Sequence, residues 1–480
     1  MKNTAAVVRK LLIQSKIKTK SPLRIGSGTD DGITDILILK DKHGNCFIPG
    51  TSVAGVLRAE IEDLYGIEAA DFLFGCIGDD EGSQSMINIS DIVLKNANII
   101  YRDGVAIDYV TGTGIDGAKY DYEAVERGAK GTLDIEVTVR AVAVNSKVKD
   151  NFVWKHEQFK KDGDFIADML ASIADILTSG INVGSLTAKG YGKIAAKDAV
   201  KIYDFNFAGN KAADNWLNWL QTGKLPAHAA YTADIKEILL PENDFVMTLA
   251  CALRSSLLIR EDASEEESKK YYEERKLRIN SVQMKSNDDY VIPGTSIKGV
   301  LRNVAFRILM ALSNGDETAA DLFLSNLMGY SDEKTGKAQK SRLVTEETYI
   351  SEKDVQKIVH SRNRIDRFTG GTIEAALFTD MPVWQNDKNL APVIFKITIK
   401  NCTEAEAGLL LLLLKEIWFG NINIGSGKAV GRGILYGRNC SITYKTQTYC
   451  ISSENGFKIN GSKEQLENYV KALAGELNGK

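Results

Sequence analysis

Cysteine, histidine and proline are scarce in this chain, with six, four and seven among 480 residues. Cys46, Cys76, Cys251, Cys402, Cys440 and Cys450 form no CxxC pair, and His43, His156, His228 and His360 show no ligand spacing. Neither a zinc site nor a disulfide framework is expected from them. An excess of either charge is missing too. Sixty Lys plus Arg against 63 Asp plus Glu leave a formal net charge of −3. That balance excludes a polycationic hold on nucleic acid and requires any basic surface to be local. The greasiest stretch, residues 407–414, stops at Lys415, far short of the roughly 20 apolar residues that cross a bilayer. The basic amino terminus has too short an apolar core for a signal peptide, so no membrane partner and a cytoplasmic location are expected. No long polar or Pro-rich tract occurs, and 44% hydrophobic with 26% charged residues reads as a folded protein.

What the chain does contain is a repeat. IPGTSVAGVLR at 48–58 returns as IPGTSIKGVLR at 292–302, VAIDYVTG at 105–112 as NRIDRFTG at 363–370, and NVGSLTAKGYGKI at 182–194 as NIGSGKAVGRGIL at 423–435. A weaker pair sets DFLFG at 71–75 beside DLF at 321–323. Pro49 and Pro293 lie 244 residues apart, Asp108 and Asp366 258, and Gly184 and Gly425 241. Two copies at so long a period are tandem domains and not solenoid units. The expected division is a first domain at 1–205, a connector at 206–243 packed by Trp216 and Trp219, a second domain at 244–450, and an extension at 451–480 with a short helix.

Within the first copy, Ile13 and Ile17 alternate with Lys16, Lys18 and Lys20, which predicts a strand with one basic face. Pro49-Gly50 turns the chain into a helix that Thr51 or Ser52 can cap, with Val53, Leu57, Ile61 and Leu64 on its apolar face. A strand at 132–144, a second helix at 165–177, a Gly-rich turn and a strand at 192–196 complete the unit. This order predicts an α+β, ferredoxin-like fold, whose open sheet is like that of RNA-recognition domains.

The Gly-rich turns match neither GxGxxG nor GxxxxGK[ST], and each follows a helix and enters a strand. A phosphate loop needs the reverse order, so an ATPase is excluded. Lys189, Lys193, Lys428 and Arg432 stand among these glycines. Two readings stay open: backbone N–H groups that approach an RNA backbone, or tight turns that need positive φ.

IPGTSxxGVLR, the ID-x-x-TG segment and a helix followed by GSxxxxGxG, in order and twice, resemble the RAMP superfamily. More narrowly, the chain resembles a fusion of two backbone subunits of type III CRISPR effector complexes, over about residues 8–203 and 245–445. The resemblance implies two ferredoxin-like palms with inserted thumb hairpins, partnership with guide RNA, complementary target RNA and other CRISPR effector subunits, and an Asp that cuts the target. In that family the Asp stands six residues before the acid of an (R/K)D pair. Here the pair is Lys40-Asp41 and the residue is Asp35, while the count from Ser286 in copy two reaches Asn280. One nuclease centre is implied, with Asp35 as catalytic residue and as ligand of a divalent cation, Mg2+ being the expected ion. Asp30 and Asp31 are accessory candidates or plain turn residues. The expected thumbs run over 108–130 and 366–380, with Tyr109, Tyr120, Phe368 and Phe378 to stack or wedge.

Expected RNA contacts are Lys16, Lys18, Lys20, Arg58, Lys189, Lys193, Lys298, Arg302, Arg364, Arg367, Lys428 and Arg432. Arg58 has a plainer alternative, a pair with Glu62 one turn on, and Asp108 and Asp366 are expected to hold turns. Two rival functions stay open beside the nuclease subunit: a non-catalytic scaffold of the same complex, and a guide-processing endoribonuclease that would draw on His43.

Overall fold

The computed structural model describes all residues except 1–4, 33, 78–81, 109–110, 112, 144–145, 151, 209, 236–241, 277, 333–334, 387–390, 454–456 and 480. Contacts divide the chain into two units, one of Met1–Ala106, Gly114–Thr187 and Tyr191–Leu239, the other of Ile107–Thr113, Ala188–Gly190 and Leu240–Lys480.

The first unit opens with β1 (Val7–Thr19), where Leu11, Ile13 and Ile17 are buried and Gln14 and Lys16 exposed on the opposite face. α1 (Gly50–Tyr65) follows, with α2 (Ile67–Phe74), β2 (Ile87–Ile89), a hairpin of β3 (Ile99–Ile107) and β4 (Gly114–Val125), and β5 (Lys130–Arg140). Then come α3 (Phe165–Ser179), β6 (Lys193–Ala196), β7 (Val200–Asn206), α4 (Asn210–Thr222) and β8 (Tyr231–Ala233). The sheet runs β8-β7-β1-β5-β2, with β6 also on β1 and every pair antiparallel. The last main strand therefore lies beside the first, the first beside the third and the third beside the second, which is the ferredoxin-like arrangement. Register sets Ile13 between Ile202 and Ile135, so one apolar row faces the helices. Trp216 of α4 is buried against Phe205 and Leu12 on the other face.

The second unit repeats the plan with β9 (Phe245–Leu253), β10 (Ser281–Gln283), α5 (Gly294–Leu312), α6 (Glu317–Met328) and β11 (Leu343–Thr345). A long ribbon follows, of β12 (Val355–Lys357), β13 (His360–Ile365), β14 (Thr372–Met381) and β15 (Val383–Gln385). β16 (Val393–Ile399), α7 (Glu404–Trp418), β17 (Leu435–Tyr444), β18 (Gln447–Ser452), β19 (Lys458–Asn460) and α8 (Lys463–Leu477) complete it. Its sheet order is β11-β16-β9-β17-β18-β19. A capping box of Thr403 and Glu406 starts α7, whose leucines are core. Leu466, Tyr469 and Leu473 of α8 join that core. No helix among the described residues is long and apolar enough to cross a membrane.

Two local expectations are corrected. Pro49 itself is the N-cap of α1 and no side chain caps it; the first amide, that of Gly50, donates to Asp91 Oδ1 at 2.8 Å. The weak pairing of Asp71 with Asp321 also shifts. A Cβ on Gly75 would meet Ser83 O and Ser85 N, and one on Gly329 would meet Gln339 O and Ser341 N, in the same geometry. Gly75 thus corresponds to Gly329, and Asp71 to Ser325.

Candidate nucleic-acid interface

Asp35 lies in the loop between β1 and α1, exposed, and its Oδ2 accepts the Asp121 N–H of β4 at 2.8 Å. Asn280 repeats the contact: its Oδ1 accepts the Thr379 N–H of β14 at 2.9 Å. The next residues agree, since Ile36 bridges Tyr122 in parallel as Ser281 pairs with Asp380 in parallel. Asp35 and Asn280 thus occupy equivalent places, with the same hydrogen bond and different charge. Asp30 Oδ1 accepts from Gly32 N–H and Asp31 Oδ1 from Thr34 N–H, the ordinary turn geometry for such residues. Asp41 folds its own loop, accepting from the amides of His43 and Asn45. Among the described residues no group of three or more His, Cys, Asp or Glu is placed to hold a metal. A lone exposed carboxylate does not cage an ion, but it fits a hydrated Mg2+ that a phosphate helps to hold.

The hairpins run over β3–β4 and β13–β14, so the expected thumb segments began at the tips and missed the outgoing strands. Asp108 and Asp366 clasp those tips. Asp108 Oδ1 accepts from Thr111 N–H (2.6 Å) and Oγ1 (2.8 Å), and Asp366 Oδ1 from Thr369 N–H (2.8 Å) and Oγ1 (3.0 Å). Side chains differ between the two. The second hairpin carries Arg364 and Arg367, both exposed, and Phe368, 93% exposed, with Leu377 and Phe378 also outside. The first shows Tyr101, Val105, Ile107 and Ile115 among Asp103, Asp116 and Lys119. Exposed apolar side chains grouped on a projecting ribbon mark a contact surface. Tyr109 lies outside the described residues. Tyr120 is corrected as a wedge, because its ring covers Gly104 and stacks on Tyr122 at 5.7 Å.

The basic candidates divide sharply. Lys16 and Lys20 are exposed and Lys18 half-buried. Arg58 does not pair with Glu62: it reaches Asp71 and donates to Gly75 O at 2.8 Å, tying α1 to the end of α2. Its counterpart Arg302 is exposed and has no ion pair among the described residues, Ser325 standing at the position that corresponds to Asp71. Lys298 is corrected from a surface contact to a buried one, with Nζ donating to Ser341 Oγ (2.6 Å) and Leu343 O (3.0 Å). Burial, with the positive charge of Arg302, lowers its pKa to about 7. Arg432 is corrected likewise: it is 3% exposed and bonds Asp380 Oδ2 at 2.9 Å. Burial would raise the Asp380 carboxyl, but hydrogen bonds from Ser281, Arg432 and Arg362 outweigh it and hold the group below the usual carboxylate range.

The Gly-rich turns resolve to tight packing in both copies. Ser185 N–H donates to Arg24 O and Gly192 N–H to Pro22 O; Ser426 N–H donates to Leu258 O and Gly433 N–H to Ser256 O. These amides are satisfied by protein carbonyls and are not a nest for an anion. Gly192 (φ 80°) and Gly433 (φ 74°) sit so near Val183 O and Ile424 O that a Cβ would lie 2.0 and 1.9 Å away. Lys189 and Lys193 are half-buried beside the first turn, and Lys428 is exposed on the second.

Sequence reasoning passed over Arg254, Trp384, Tyr436 and Arg438, which line one cavity of the second unit. Arg254 follows the first strand as Lys20 does, which is the one signal that could have found it. The family model described as the RAMP superfamily matches residues 16–195 and 248–436. No curated protein matches the chain.

Proposed function

The chain belongs to the RAMP superfamily, and from that premise we propose that it is a backbone subunit of a type III CRISPR effector complex, which binds guide RNA and cuts complementary RNA at Asp35. Membership of the superfamily supports a CRISPR-associated RNA-binding role. The finer reading rests on one observation: Asp35 and Asn280 make the same backbone hydrogen bond at the root of a hairpin, and only Asp35 is ionisable. With Oδ2 on the Asp121 amide, Oδ1 is left to act on RNA. It would accept the proton of a 2′-hydroxyl, whose oxygen attacks the adjacent phosphate to form a 2′,3′-cyclic phosphate, while the displaced 5′-oxygen takes a proton from water and leaves as a hydroxyl. As an alternative to taking that proton, Asp35 Oδ1 would hold, with the phosphate, a Mg2+ ion that supplies charge stabilisation at the phosphoryl oxygens. The hairpins, by wedging between bases, would set that 2′-oxygen in line, so positioning carries much of the rate.

Asp35→Asn tests this, because Asn280 demonstrates that an amide keeps the local fold. Cleavage of complementary RNA should fall by about a hundredfold or more, with guide binding and melting temperature retained. Undiminished cleavage would put the cutting group elsewhere than Asp35, and no cleavage by the wild-type chain would leave it as a scaffold subunit, the second reading.

A further inference from the structure

Beside the root of the second hairpin is a cavity of about 550 Å3, a size that suits a small ligand. β12 and β15 pair through Gln356 and Trp384 and continue directly into β13 and β14, so one wall is the base of the ribbon that carries Arg364, Arg367 and Phe368. The other wall is the sheet, where Arg254 follows β9 and Tyr436 and Arg438 stand on β17. Arg254 lies 4.8 Å from the Tyr436 ring centroid and its Nη1 donates to the Tyr436 hydroxyl at 2.6 Å, which fixes the ring. Among the described residues no carboxylate lines the cavity. Trp384 Nε1 is buried and has no acceptor among the described residues, although an indole N–H so placed ordinarily has one.

Two aromatic rings and two guanidinium groups, with no acid among the described lining residues, are the complement of a nucleotide: a π-faced base joined to an anionic phosphate. The first unit lacks this equipment. Lys20 N–H donates to Lys193 O as Arg254 N–H does to Ile434 O, and Leu23 pairs with Val125 as Leu257 does with Val383. By that match Trp384 corresponds to Glu126 and Tyr436 to Ala195, neither of which is aromatic.

We propose that this cavity takes one nucleotide of a single-stranded RNA where the strand passes from sheet to hairpin, its base against Trp384 and Tyr436 and its phosphate on the arginines. The inference rests on the RNA-binding reading above and adds a site that belongs to the second unit.

The test uses the full chain with single-stranded RNA carrying 5-iodouridine, photocrosslinked and mapped by mass spectrometry. Affinities are measured beside it for wild type, Gln356→Trp, which fills the cavity from an exposed position, and Arg254→Glu. Crosslinks at Trp384 or Tyr436, with affinity lowered about tenfold in both variants at unchanged melting temperature, are expected. Wild-type affinity in both variants with crosslinks elsewhere would overturn the pocket and leave the RNA reading intact. No RNA binding by the wild-type chain would overturn both. Saturable UMP or AMP binding that these substitutions abolish, with RNA affinity unmoved, would overturn the strand nucleotide and assign the cavity to a free one.

Discussion

At the scale of single residues, charge in this protein separates into what is buried for architecture and what is left for a ligand. Arg432 and Asp380 are each nearly sealed from solvent, and Arg362 and Ser281 still hold the Asp380 carboxylate when Arg432 is removed. Arg432→Ala should therefore cost about 1–3 kcal/mol, the loss of one charged hydrogen bond, read as a fall in the denaturation midpoint. His156 is a second, half-buried device, with Nδ1 3.1 Å from Asp168 and Nε2 3.0 Å from Asp175. Burial alone would lower its pKa, but the two carboxylates outweigh it and push it up to about 9. The folded state thus holds this proton more tightly than the unfolded chain does. The stabilisation is complete below about 6.5 and is lost as pH rises toward 9. Wild type should exceed His156→Gln by on the order of 3 kcal/mol at pH 6, with the gap closing above about pH 9 in pH-resolved thermal melts. The correspondence of Asp35 with Asn280 was legible because counting back six residues from the aligned Asp41 and Ser286 is a one-dimensional operation. Lys298 and Arg432 were misread for the opposite reason: a cation beside a motif looks the same in sequence whether it meets water, Leu343 O or Asp380.

At the scale of elements, the two hairpins share a clasp and differ in surface. Asp108 and Asp366 make one turn, but only the second ribbon presents Arg364, Arg367 and Phe368 outward. Converting Arg364 and Arg367 together to Ala should weaken RNA binding and flatten the dependence of log K on log salt by about 1.4, with thermal stability unmoved. Equal salt slopes for variant and wild type would place the phosphate contacts elsewhere. The strands and helices around these ribbons were readable from alternation in β1 and from helical spacing in α1 and α5. The outgoing strands β3 and β13 were not, because their apolar residues point into solvent and follow no core-facing period. The Gly-rich turns left two readings open in sequence, and carbonyl acceptors far along the chain, at Pro22 and Ser256, decided between them.

At the scale of the whole molecule, duplication has produced two like scaffolds with unlike equipment: an ionisable Asp35 in the first, a basic hairpin and an aromatic cavity in the second. If one carboxylate sets the cutting position, wild type makes one cut per chain. Asn280→Asp should then add a second cut site on end-labelled target RNA, since Asp35 shows that a carboxylate keeps the same hydrogen bond. A single product from that variant would mean that the second unit lacks more than charge. The chain's order of residues alone determined the duplication, the ferredoxin-like order of elements, and the correspondence of Asp35 with Asn280. Repeats, periodicity and spacing are properties of a line. Which cations are buried, which amides are already satisfied, and that Arg254, Trp384, Tyr436 and Arg438 meet around one cavity were decided by tertiary structure, because burial and convergence depend on segments far apart in sequence being packed together.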